Sequence, residues 1–188
     1  MSDVEYRLTN SGLCDVMVPN VGVPAQYPAG INGQAAGLYI IYNQQTLTRY
    51  VGNSHNIQQR FQQRLAAVGE LGLSVAVMAQ IAVFWGQAWI RNTPIQGGQQ
   101  PQFVQVQNYG QQCIGVLDGV NVNLENLLVR FILTQAWQGE FVSNNHFGQA
   151  PYVNQTPNPV NVTLQWGGAA VNWQNQQLTH IWQQGAAW

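Results

Sequence analysis

Four side chains in this sequence have types that could act together on a phosphate ester. Tyr39 and Tyr50 stand in two short β-rich runs, GLYIIYN (37–43) and LTRYVGN (47–53). The polar turn Asn43-Gln44-Gln45-Thr46 joins them, a pattern that suggests a hairpin. On neighbouring strands the two hydroxyls could converge on one side of a sheet. There they could position a water, or deprotonate it if nearby cations lower a phenol's pKa. Arg60 falls in HNIQQRFQQRLAAVGEL, where Ile57, Phe61, Leu65 and Val68 mark one helical face. A guanidinium there could clamp a phosphate and offset the charge that builds in the transition state. Glu125 opens a second helical stretch, LENLLVRFILTQAW (124–137), and could hold one divalent cation against a phosphate oxygen. Each residue also has a plainer role: tyrosines pack hairpins, helical arginines lie on solvated faces, and an acid in a first helical turn complements the macrodipole.

The elements that must place these residues can be read from pattern. Ser54 or Asn53 can cap the first helix, and Gly69 and Gly72 end it. A buried strand is expected around 73–85, because Val75, Val77, Ile81 and Val83 with Phe84-Trp85 suit a strand better than a membrane span. Residues 92–112 are rich in Gly, Pro and Gln and read as a loop; 113–117 read as a short strand, after which Asn121 or Asn123 can cap the second helix. Residues 1–36, with Pro19, Pro24 and Pro28, read as an irregular arm holding at most one short strand. The tail after Ala150 gives the strand-like VTLQW (162–166). The order hairpin, helix, strand, helix predicts a small α+β domain, with helices flanking a mixed or antiparallel three-stranded sheet. The expected organisation is an N-terminal extension (1–36), a catalytic domain (37–150) and a C-terminal extension (151–188) packed on or near the core.

The ordered set Gly37-Leu38-Tyr39, Tyr50-Val51-Gly52, the run Asn53-Ser54-His55-Asn56-Ile57-Gln58-Gln59-Arg60, and Glu125 in LENLLVRF resembles the GIY-YIG nuclease family over roughly 37 to 135. The resemblance implies a metal-dependent DNA endonuclease with one Mg²⁺ (or Mn²⁺) held by Glu125 and a tyrosine as general base. It implies catalytic roles for Tyr39, Tyr50, Arg60 and Glu125, and phosphate-binding or supporting roles for Gly52, Ser54 and His55. The family also places an asparagine after the glutamate helix; Asn145 is the preferred candidate, with Asn144 beside it, and His146 reads as structural. One departure stands inside the motif. Four residues after the arginine, where many members carry a His or Tyr, this chain has Arg64, which cannot act as a base because it stays charged. Arg64 could instead lower a tyrosine's pKa or bind a second phosphate.

Bulk composition narrows the setting. Only 7% of the 188 residues are charged and 46% are hydrophobic, so the chain can bury a core and does not resemble a disordered one. All six basic residues are arginines, and the net charge is −1. The basic surplus that grips nucleic acid is therefore absent, and phosphate binding must rest on local arginines. The absence of lysine, the acceptor for ubiquitin and acetyl groups, fits a protein that works inside a foreign cell. Within the nuclease reading, a delivered toxin neutralised by an immunity protein fits better than a restriction or repair enzyme, which needs base-reading segments or partner domains. A non-catalytic nucleic-acid or partner-binding module on the same scaffold is the second class. A carbohydrate-binding or adhesive protein, suggested by seven tryptophans and abundant Gln and Asn, is the third. The N-terminus MSDVEYRLTN carries no signal-peptide pattern, and intracellular action without a membrane is expected. Cys14 and Cys113 form no metal-type pair; one disulfide between them is left open.

Overall fold

Period-two alternation of apolar side chains sets the architecture. The computed structural model describes residues 1–16, 35–43, 48–66, 79–110, 113–134, 141–142, 152–168 and 173–182. In chain order these form β1 (Ser2–Val16), β2 (Gly37–Asn43), β3 (Thr48–Ser54), α1 (Ile57–Ala66), β4 (Ala79–Arg91), β5 (Val104–Gln105), β6 (Ile114–Leu117), β7 (Val120–Asn123), α2 (Leu124–Thr134) and β8 (Phe141–Val142). A 3-10 turn (Tyr152–Gln155), β9 (Val160–Gly168) and β10 (Trp173–Trp182) complete the list.

The fold is α+β and dominated by strands, but its sheet is larger than expected. Eight strands form one mixed sheet in the order β10-β9-β1-β4-β2-β3-β8, with β5 also paired to β4. The pairs β1–β9 and β3–β8 are parallel and the others antiparallel. The three-stranded sheet read from sequence is therefore a correction. So is the irregular arm, because β1 runs 15 residues and lies between β9 and β4. Val4, Tyr6 and Leu8 of β1 are buried, while Glu5 and Arg7 between them stay partly exposed. Val160, Val162, Leu164 and Trp166 repeat that alternation in β9. The strand expected at 73–85 runs from Ala79 to Arg91; residues 73–78 lie outside the described set.

Alternation and register divide the sheet into two faces. On one, Leu38, Ile40, Val51, Ala82, Phe84 and Ala88 meet Leu124, Leu127, Leu128 and Phe131 of α2 in the main core. The other face of the β2–β4 region carries Tyr39, Ile41, Tyr50, Val83 and Trp85, which are also buried. At Gly86 the register with β1 slips, since Arg7 faces Gln87 but Asn10 faces Trp85. Two residues thus oppose one, which is a β-bulge. A side chain at Gly86 would run into the Arg7 carbonyl, so only glycine lets β1 approach there.

Local chemistry starts the helices. Asn56 caps α1, its Oδ1 accepting the Gln59 N–H at 2.9 Å, so the cap is neither Ser54 nor Asn53, which end β3. Asn123 caps α2 by accepting the Asn126 N–H at 2.9 Å. Asp118 (φ 47°) and Gly119 (φ 84°) make the two-residue hairpin turn between β6 and β7. Cys113 is a buried free thiol, so it forms no disulfide. No helix among the described residues is long and apolar enough to cross a membrane.

Candidate functional site

The β2–β3 hairpin brings the two tyrosines together. Tyr39 pairs with Gly52 and Ile41 with Tyr50, so Tyr39 and Tyr50 are diagonal neighbours on one face. Their ring centroids lie 6.3 Å apart with planes 30° from parallel. Both are nearly buried, at 1% and 7% exposure. A Cβ at Gly52 would collide with the hydroxyl end of the Tyr39 ring. The space beside Gly52 is filled by Tyr39.

The chain then turns into α1. Ser54 is buried, and its hydroxyl both accepts the Asn56 N–H at 3.0 Å and donates to the Asn56 carbonyl at 2.8 Å. Its visible work is to shape this turn. His55 is exposed, with Nδ1 against Gly110. Arg60 is exposed on α1 and donates to Gln63 Oε1 at 3.3 Å along the helix. Arg64 lies on α1, but its side chain is outside the described set, as are Asn144, Asn145 and His146 entirely.

Glu125 sits partly buried in the first turn of α2, and its Oε2 accepts a hydrogen bond from Asn53 Nδ2. Asn53 Oδ1 accepts the Gly110 N–H at 2.5 Å. The backbone beneath Glu125 is held as well: Leu124 N–H donates to the Cys113 carbonyl at 2.8 Å, and the Tyr6 hydroxyl donates to the Leu124 carbonyl at 2.7 Å. Burial, with the Glu125 carboxylate adding to it and the Glu125 backbone hydrogen bond opposing, pushes the Cys113 thiol up to about 12. That thiol is un-ionised at neutral pH and is no nucleophile. Burial also raises the Tyr109 phenol to about 12, against the opposing hydrogen bond from Ala88 N–H, and raises Tyr6 well above its ordinary value.

The tyrosines and Glu125 belong to two separate groups, and Arg60 and His55 are exposed. Tyr39, Tyr50 and Gly52 share one face of the hairpin. Asn53, one residue on, points to the other face and to Glu125. Sequence reasoning missed Asn53, Gly110, Cys113 and Tyr6 as the surroundings of Glu125. Their only signal was Asn53's place directly after Tyr50-Val51-Gly52.

A divalent ion fits this donor set in a restricted way. Among the described residues no three of His, Cys, Asp and Glu come together. Glu125 would be the carboxylate anchor, and Mg²⁺ accepts such a site because it keeps several waters and binds through one or two carboxylates plus phosphate. Asp118, the other carboxylate in this part of the chain, is saturated by donors from Ser2, Thr93 and Asn158 and so is occupied structurally. No family model, no curated protein and no solved structure matches this chain.

Proposed function

We propose that the protein is a divalent-metal-dependent DNA endonuclease of the GIY-YIG type. The observation that carries this reading is the Tyr39–Tyr50 pair, set side by side on β2 and β3 with Gly52 leaving room for the Tyr39 hydroxyl. In this reading a tyrosine of that pair orients the attacking water and takes its proton. Arg60, exposed on the helix that follows the hairpin, contacts the scissile phosphate and offsets its developing charge. Glu125 holds the cation, which when bound supplies Lewis-acid stabilisation of phosphate oxygens. Arg64 adds a second positive charge one helical turn beyond Arg60. The lysine-free, nearly neutral chain suits a delivered toxin with an immunity protein as partner, ahead of a restriction or repair nuclease.

A second reading, a non-catalytic nucleic-acid or partner-binding module, is favoured by one observation: alternation sends the tyrosine pair and the Asn53–Glu125 pair to opposite faces of the hairpin. Incubation with supercoiled plasmid and Mg²⁺ or Mn²⁺ separates the two. The nuclease reading expects nicking or linearisation, reduced by about 10²-fold or more in Glu125→Ala and Arg60→Ala. Intact plasmid with either metal would overturn it and leave the binding module.

A further inference from the structure

We infer that Asn53 is the positioning residue of the Glu125 carboxylate, held in register by the Gly110 N–H. The inference rests on the nuclease reading of Glu125 and adds a residue that the motif resemblance assigns only to the approach to the arginine helix.

A carboxamide can present either end to a neighbour, and here the surroundings decide which. The Gly110 N–H is a donor and reaches Asn53 Oδ1 at 2.5 Å, so that end must be the carbonyl. The amide NH₂ is thereby turned toward Glu125 Oε2, where only an acceptor can receive it. Asn53 is 9% exposed, and a hydrogen bond in such a setting is stronger and more directional than one in water. The glutamate is fixed at its other end too, through the Leu124 bonds to Cys113 and Tyr6 and the Asn123 cap. Holding one carboxylate oxygen fixes the direction of the second. That is what an anchor for a metal ion needs, and loss of such a supporting hydrogen bond typically costs about 10–100-fold in metal affinity or activity. The Cys113 thiol, which the Glu125 carboxylate helps to keep neutral, lies close by. Asn53 is the group that donates to it from β3.

Two variants test the role on the full-length chain. Asn53→Ala removes both contacts; the expected result is a kcat for plasmid cleavage lower by about tenfold or more, with the KM for DNA unchanged. Asn53→Asp keeps an acceptor for Gly110, so it preserves the fold, but sets a second carboxylate against Glu125. Its kcat is expected to fall as far as that of Asn53→Ala, and Mg²⁺ titrated calorimetrically into metal-free Asn53→Ala is expected to bind about tenfold or more weakly than to the unaltered chain. An unmoved Mg²⁺ affinity or a native kcat in folded Asn53→Ala overturns the positioning role while leaving the nuclease reading intact. Unaltered protein that cuts no plasmid with either metal overturns both.

Discussion

Gly52 shows how one absent side chain governs its neighbours. Tyr39 is closed in at 1% exposure, so the ring cannot swing aside to admit a Cβ at position 52. Gly52→Ala should destabilise the protein by about 1–3 kcal/mol, as overpacked cores do. It should also displace the Tyr39 hydroxyl and so lower cleavage more than the stability loss explains. Urea unfolding and plasmid cleavage measured side by side check this, and native stability in Gly52→Ala would contradict the packing account. Tyr39, Tyr50 and Gly52 were all named from the sequence. Their mutual contact follows from hairpin geometry, because residues two apart along a strand share a face. Asn53 was legible only as a residue following the motif and as a candidate helix cap. Its partners at 110 and 125 are far along the chain, and no local pattern announces a contact closed by tertiary packing.

At the scale of elements, the β6–β7 hairpin acts as a latch. Asp118 tolerates its positive φ because a short polar side chain can bond locally. Its carboxylate accepts from Thr93 N–H at 2.8 Å, Thr93 Oγ1 at 2.6 Å, Ser2 Oγ at 3.0 Å and Asn158 Nδ2 at 3.1 Å. One small turn therefore ties the start of β1 to the segment after β4 and the approach to β9. Burial alone would raise this carboxyl, but the hydrogen bonds from Thr93, Asn158 and Ser2 outweigh it and hold the group below its ordinary value of 3.8. A carboxyl depressed in the folded state contributes stability that is present above the unfolded pKa and lost as pH falls through the folded one. Asp118→Asn, which keeps the turn, should cost about 1–2 kcal/mol at pH 7. The gap should narrow as pH falls below 3.8 and through the depressed folded-state value. Urea titrations of both proteins from pH 7 downward decide it, and a gap that does not narrow with falling pH would refute the charged latch. Sequence could have shown this hairpin, since Asp118-Gly119 between apolar runs is a strong turn signal. The strand before it was read, but its return partner β7 was not.

For the molecule as a whole, three weakly acidic groups, two buried and one partly buried, bear on stability together. Tyr6, Tyr109 and Cys113 lie where β1, the end of the 92–110 segment and the start of α2 meet, and burial raises all three. Groups raised in the folded state give stability that is complete below their unfolded values and lost as pH rises toward the folded ones. The Tm should thus hold through neutral pH and fall between pH 9.0, the ordinary thiol value, and about 12. A flat Tm across that window, followed by circular dichroism, would contradict the burial of these groups. What the sequence determined by itself was local: the alternating runs of β2, β3 and β9, the first turn of α2, and the order of tyrosines, arginine and glutamate that suggests a nuclease. These depend on neighbours within a few residues, where periodicity and capping act. What only the tertiary structure decided was nonlocal: β1 as an interior strand between β4 and β9, an eight-stranded sheet in place of three, and the pairing of Asn53 with Glu125 on the face opposite the tyrosines. Strand pairing and side-chain contacts between distant segments are set by which surfaces can bury each other, and a single sequence does not write that choice in any one window.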